Sequence, residues 1–132
     1  MEESAKTELK DCCKYVFFDE KCNVLASNFT VVSDELKPLT TILDDRDEAI
    51  KQGMVVGGTR YEVHRHHPPL VYGRTMTGQP ENSEGIALCK VEKSATGGAS
   101  FGLITYQMPN ISARMVPILQ RFCGKHMEPR SR

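Results

Sequence analysis

The 132-residue chain carries no net charge, because 17 Lys and Arg offset 17 Asp and Glu. That balance argues against a dedicated nucleic-acid binder, which carries a strong basic excess, but it leaves room for a local basic face. No apolar run approaches the ~18 residues that a membrane span needs. The polar start Met1-Glu2-Glu3-Ser4-Ala5-Lys6 gives no sign of a secretory leader. Five cysteines (Cys12, Cys13, Cys22, Cys89, Cys123) are odd in number and lack C-x-x-C spacing. They read as reduced thiols rather than a disulfide framework or a zinc site, so the expected address is the cytoplasm. Tryptophan is absent. There are no repeats, linkers or low-complexity segments either, so residues 1–132 are expected to form one domain.

Catalytic signatures are missing as well. Gly57-Gly58 is not followed by G-x-x-x-x-G-K-[ST], so a tight strand connection is the better account of the pair. No Ser/His/Asp set or carboxylate pair stands out, and no activating His or Lys motif accompanies adjacent Cys12-Cys13. Neither an enzyme nor a cofactor is expected. His64, His66 and His67 could in principle ligate a metal. In a strand, however, His64 and His66 share one face and His67 points away, with no Cys or carboxylate to complete a set. They read as solvated strand-end residues that add charge below neutral pH. His126 is expected to be exposed at a helix end.

What is present centres on Gly53 to Arg74. Met54-Val55-Val56 is a short apolar run ending at Gly57-Gly58. Arg60 to Arg65 alternates, which puts Tyr61 and Val63 on one face and Arg60, Glu62 and His64 on the other. Pro68-Pro69 breaks the run, and Leu70-Val71-Tyr72 resumes it. An antiparallel pair with one buried face and one wet, basic face follows, and the wet face is where function is sought.

The flanking segments supply the rest of the fold. Residues 2–12 suit a short helix with Ala5, Leu9 and Cys12 inward. Tyr15–Phe18 and Asn23–Ser27 read as a hairpin. Ser33 reads as the N-cap of a helix whose apolar face is Leu36, Leu39, Ile42 and Leu43, with Pro38 in an early turn. Asp44-Asp45-Arg46-Asp47 is a charged break before one more helical turn, Glu48–Gln52. Thr77–Ser83 is a loop by composition. Ile86–Val91 and Phe101–Tyr106 are strands joined at Gly97-Gly98. Residues 110–126 form a closing helix with Met115, Val116, Leu119, Phe122 and Cys123 on one face. The sum is an α+β domain built on one antiparallel sheet of about six to seven strands, with helices on both faces.

Taken in order, Val24-Leu25-Ala26-Ser27, Glu35-Leu36…Leu39, Gly53-Met-Val-Val-Gly57-Gly58-Thr-Arg-Tyr61, Tyr72-Gly73-Arg74, Gly85-Ile86…Lys90 and Leu119…Phe122 resemble the profilin family. The Gly53–Tyr61 stretch is similar to that family's G-L-x-L-G-G-x-K-Y signature. The resemblance implies a profilin-like central antiparallel sheet with the N- and C-terminal helices on one face and two short helices on the other. It also implies a cytoplasmic, cytoskeletal, monomeric protein that binds monomeric actin, sequesters or delivers it, and so regulates filament assembly. By position, the implied actin surface takes Ile50, Lys51, Arg60, Val63, Arg65, Arg74, Asn110 and Arg114. Arginine suits such a surface because its planar fork binds carboxylates bidentately and sheds water cheaply.

The family's proline-rich peptide site maps onto Tyr15, Leu25 and Phe122. A polyproline helix needs exposed rings to stack on. Here the second-strand Trp position is Leu25, and the first helix is short and carries no aromatic, so weak or absent peptide binding is expected. Two further departures touch the actin surface: a position often Lys is Met76, and a last-helix Asn falls near Ala113. The alternative role is an adaptor on the same fold that binds a peptide, another protein or phosphoinositide head groups. Arg60, Arg65, Arg74 and Lys90 would be the basic residues of a head-group site.

Overall fold

The computed structural model of the chain describes residues 2–75, 83–92, 98–107 and 110–127. Met76, the loop from Thr77 up to Ser83, and Gly97 lie outside them. The elements run α1 (Glu2–Glu8), β1 (Lys14–Asp19), β2 (Val24–Ser27), α2 (Ser33–Leu36), a 3-10 helix (Lys37–Thr41), α3 (Arg46–Gln52), β3 (Met54–Val56), β4 (Thr59–His67), β5 (Leu70–Arg74), β6 (Glu84–Val91), β7 (Ser100–Gln107) and α4 (Ser112–His126). The strands form one antiparallel sheet in the order β2-β1-β7-β6-β5-β4-β3.

Each face of the sheet builds its own core. On one, Ala5 of α1, Leu9 in the turn after it, and Met115, Leu119 and Phe122 of α4 pack on Tyr15, Phe17, Ala87, Ile104 and Tyr106. On the other, Leu36, Leu39, Ile42 and Ala49 pack on Val16, Phe18, Met54, Tyr61, Val71, Ile86 and Leu103. The terminal helices therefore share one face and the two short helices the other, as the resemblance implies.

Local chemistry sets the boundaries. In the β1–β2 turn, the Asp19 carboxylate accepts the backbone N–H groups of Lys21 and Asn23, each at 2.9 Å. Gly57 and Gly58 sit at φ 60° and 78°, the left-handed conformations that a two-residue hairpin turn between right-twisted strands demands. Their N–H groups donate to the two oxygens of Glu35, both at 2.9 Å, which fastens α2 to the hairpin.

Two helix starts differ from the sequence reading. Val32, not Ser33, is the N-cap of α2, and no side-chain cap bond forms. The helix is only four residues long before Pro38, which has no N–H, tightens the chain into the 3-10 turn. The charged break after Ile42 contains the start of α3 itself, with Asp45 as N-cap accepting from the Glu48 N–H at 3.1 Å.

β4 is not a regular strand. Val63 pairs with Gly73 but Arg65 pairs with Tyr72, so His64 is an inserted bulge residue. A Cβ on Gly73 would lie 1.7 Å from the Glu62 carbonyl oxygen, which makes glycine obligatory opposite the bulge. We predict that Gly73→Ala lowers stability by about 3 kcal/mol or more, beyond ordinary overpacking, because the obstacle is backbone. Urea unfolding measures this directly, and an unchanged midpoint would contradict the close approach.

Candidate protein-binding face

α4 packs over β6 and β7, and the outer half of that sheet face, formed by β4 and β5, remains accessible. Antiparallel partners share a face, so Glu62 lies beside Arg74 and Arg65 beside Tyr72 on this open half. Arg60 is on the same side of β4. It ion-pairs with Glu62 and donates to the Lys51 carbonyl at 3.2 Å, joining the strand to the end of α3. Ile50, next to Lys51, is 39% exposed.

The remaining arginines are held differently. Arg74 is half-buried, and its Nε donates to Ser83 Oγ at 2.7 Å, while one terminal nitrogen is buried without a hydrogen-bond partner among the described residues. Arg65 is exposed and makes no hydrogen bond or ion pair among the described residues. Arg114 bonds Asn110 Oδ1 and Asp11 Oδ2, both at 2.5 Å, and Asn110 Nδ2 donates to the Asp11 carbonyl at 3.3 Å.

The structure thus brings Arg60, Arg65 and Arg74 onto one sheet face, with Ile50 and Lys51 at the end of α3, and sets Asn110 and Arg114 at the start of α4. Val63 departs from this set. It is 7% exposed and belongs to the opposite core, because the bulge at His64 separates its face from that of Arg65. Lys90 departs as well. It pairs with Phe101 on the α2–α3 side and sits 5.9 Å from that ring.

Two residues that sequence reasoning passed over belong here: Tyr72, between the arginines, and Ile111, 45% exposed beside Asn110. The alternation of Tyr72 with Arg74 was a usable signal, whereas Ile111 left none. Ala113 is exposed on the first turn of α4 and offers no polar group.

The histidines also diverge. Among the described residues, no group of three or more His, Cys, Asp or Glu is placed to hold a metal. His66 is on the Val71 side, and its Nε2 lies 2.9 Å from the Ile42 carbonyl, so it is a packed residue rather than a solvated one. His64, Arg65, His67 and Arg46 border a cleft of about 460 Å³.

The positions of the peptide site face inward. Tyr15 is 5% and Phe122 1% exposed, and Leu25 is half-buried against the same core. Phe17 links the two rings, at 5.9 Å from Tyr15 and 4.9 Å from Phe122. The His126 ring packs against Phe122 in a tilted arrangement, centroids 4.4 Å apart, and its Nε2 is 2.8 Å from Glu8 Oε2. It is therefore not an exposed helix end, because α1 docks across it. Burial also pushes the Cys12 thiol up to about 12, which keeps it protonated and unreactive. No helix among the described residues is long and apolar enough to cross a membrane.

This architecture defines a small α+β module in which β4 and β5 carry an arginine-bearing sheet face beside the part covered by α4. A family model for profilin matches residues 7–96, more than half of the chain, and the chain belongs to the profilin family. Among curated proteins, none matches it significantly in sequence. Among solved structures, it is similar to Acanthamoeba castellanii profilin II, with TM-score 0.74 and 15% identity over 93% of this chain and 90% of that one. It is similar to Schizosaccharomyces pombe profilin, with TM-score 0.70 and 14% identity over 93% and 94%. LokiProfilin1 in its complex with rabbit actin matches at TM-score 0.68 and 12% identity over 95% of both chains.

The contact of α1 with α4 generates a pH prediction. The hydrogen bond from His126, aided by Lys125, holds the Glu8 carboxyl below its ordinary value of 4.5 despite partial desolvation. A depressed folded-state value means that the stabilisation is fully present above the unfolded value and is lost as pH falls through the folded one. Glu8→Gln should therefore lower Tm at neutral pH and flatten the loss of stability between about pH 5 and 3. A variant as acid-sensitive as the parent would remove Glu8 from that role.

Proposed function

We propose that the chain is an actin-monomer-binding profilin that works in the cytoplasm, needs no cofactor, and regulates filament assembly by sequestering or delivering monomer. The observation that carries this reading is the open sheet face on which Arg60, Arg65 and Arg74 surround Tyr72, flanked by Ile50 and Lys51 and by Asn110, Ile111 and Arg114. An interface of this kind combines aromatic and arginine anchors with aliphatic neighbours, and its basic character suits a partner patch rich in carboxylates. Structural similarity to LokiProfilin1 in complex with rabbit actin supports the same partner. Val63 is left out of this surface.

Proline-rich peptides are not ligands on this reading, because Tyr15 and Phe122 are spent on the core and offer no ring to stack on. A second reading rests on the cleft beside His64, Arg65, His67 and Arg46, whose basic lining suits phosphoinositide head groups. Co-sedimentation with phosphoinositide vesicles at low salt that vanishes at high salt would support it, and no binding at low salt would sink it.

Titration into labelled monomeric actin, followed by a proline decamer, tests the main proposal. Binding to actin and not to the decamer is the expected pair of results, and failure with actin overturns it. Arg65→Glu is the cleanest variant, because that exposed side chain makes no hydrogen bond or ion pair among the described residues. It should raise the actin Kd about tenfold or more while moving Tm little, since an exposed charge contributes little to folding. An unchanged Kd would take Arg65 out of the surface.

A further inference from the structure

The outer edge of β3 carries features that the actin reading does not use. β3 and β4 join through a two-residue turn, with Val56 opposite Thr59, Val55 opposite Arg60 and Met54 opposite Tyr61. In such a hairpin the ladder bonds fall at Val56 and Met54, so the N–H and C=O of Val55 point away from β4. β3 is the last strand of the sheet, and among the described residues no strand pairs with its outer edge. The Val55 side chain is itself 40% exposed.

Beside it opens a cleft of about 280 Å³ with a mainly aliphatic wall from Pro38, Leu39 and Val55. Asp34, Glu35 and Gln52 complete the lining. Glu48 adds a third carboxylate on the same side of α3, one turn before Gln52. These carboxylates lie on the α2–α3 side of the edge, whereas the Val55 side chain, opposite Arg60, forms the rim of the cleft toward the arginine-bearing face.

We propose that this edge is a second docking site, which takes an extended segment of another protein carrying an aliphatic side chain between basic residues. The segment adds beside β3 as a short strand and exchanges backbone hydrogen bonds with Val55. Its aliphatic side chain enters the cleft against Pro38, Leu39 and Val55. Its basic residues face Asp34, Glu35 and Glu48. Three independent features select this occupant: the unpaired strand edge selects extended backbone, the wall selects an aliphatic residue, and the carboxylates select positive charge. A proline-rich segment is the wrong ligand here, because proline has no N–H to give to the Val55 carbonyl. β3 is only three residues long, so the encounter is brief and weak.

An NMR titration of the ¹⁵N-labelled full chain with two blocked pentapeptides, Lys-Val-Ile-Val-Lys and Glu-Val-Ile-Val-Glu, tests this. The basic peptide should shift the amides of Gln52, Gly53 and Val55 at concentrations on the order of 1 mM, the scale of weak encounters. The acidic peptide should need at least ten times more. Val55→Pro should weaken the basic peptide at least fivefold, since an outward-facing N–H on an edge strand is not needed by the native ladder. If that variant does not fold, Val55→Lys, an exposed change that removes the aliphatic surface and repels the peptide, should do the same. Silence of those three amides, equal response to both peptides, or full affinity in the folded variant would each overturn the proposal. The readout involves no actin, so its failure and that of the actin reading are separate results.

Discussion

The constraint on which everything else rests is that the middle of the sheet is apolar on both sides. Phe17 and Phe18 of β1, Ala87 and Leu88 of β6, and Leu103 and Ile104 of β7 all lie below 1% exposure although consecutive residues point in opposite directions. Such strands are stable only when both faces are covered. One face is covered by the terminal helices and the other by the short middle helices. α4 lies over β6 and β7, so the same face stays open at β4 and β5. The candidate binding surface is the part of the sheet that the helices do not cover, and its half-polar strands are the ones that can face water.

Periodicity made much of this legible. The apolar stripe of α4, the Leu36-Leu39-Ile42 stripe and the alternation around Tyr61 each depend on neighbours a few residues away, and the structure keeps all three. Misplacements arose where facing depends on a distant partner. Val63 and Arg65 are two apart and would share a face in a regular strand, but the bulge at His64 parts them, and that bulge depends on Gly73 across the ladder. Lys90 could not be assigned a side before its pairing with Phe101 was known. His126 reads as a solvated helix end unless the position of Glu8 is known.

The same dependence on distant partners governs the aromatic residues. Nine Phe and Tyr serve a chain with no Trp. Tyr15 and Phe17 of β1 and Phe122 of α4 form a continuous inward chain of tilted ring contacts, closed by His126 and Glu8. An aromatic ring contributes to the core or to a ligand platform according to which side of it is covered. Here the covering element is the short first helix and the turn that ends it, where Ala5 and Leu9 are buried in the core.

The bulge has one more consequence, which concerns chain length rather than chemistry. His64 is the residue that the ladder leaves out, with Val63 paired before it and Arg65 paired after it. Excising it would join two segments already in phase, so Tyr61, Val63 and His66 would keep one side of the sheet and Arg60, Glu62 and Arg65 the other. Position 64 is therefore where this strand can lose a residue and keep its surface, whereas a deletion between Tyr61 and Val63 would invert everything beyond it. A relative one residue shorter here would present the same face, and superposing the two sequences correctly requires the gap to fall at the histidine.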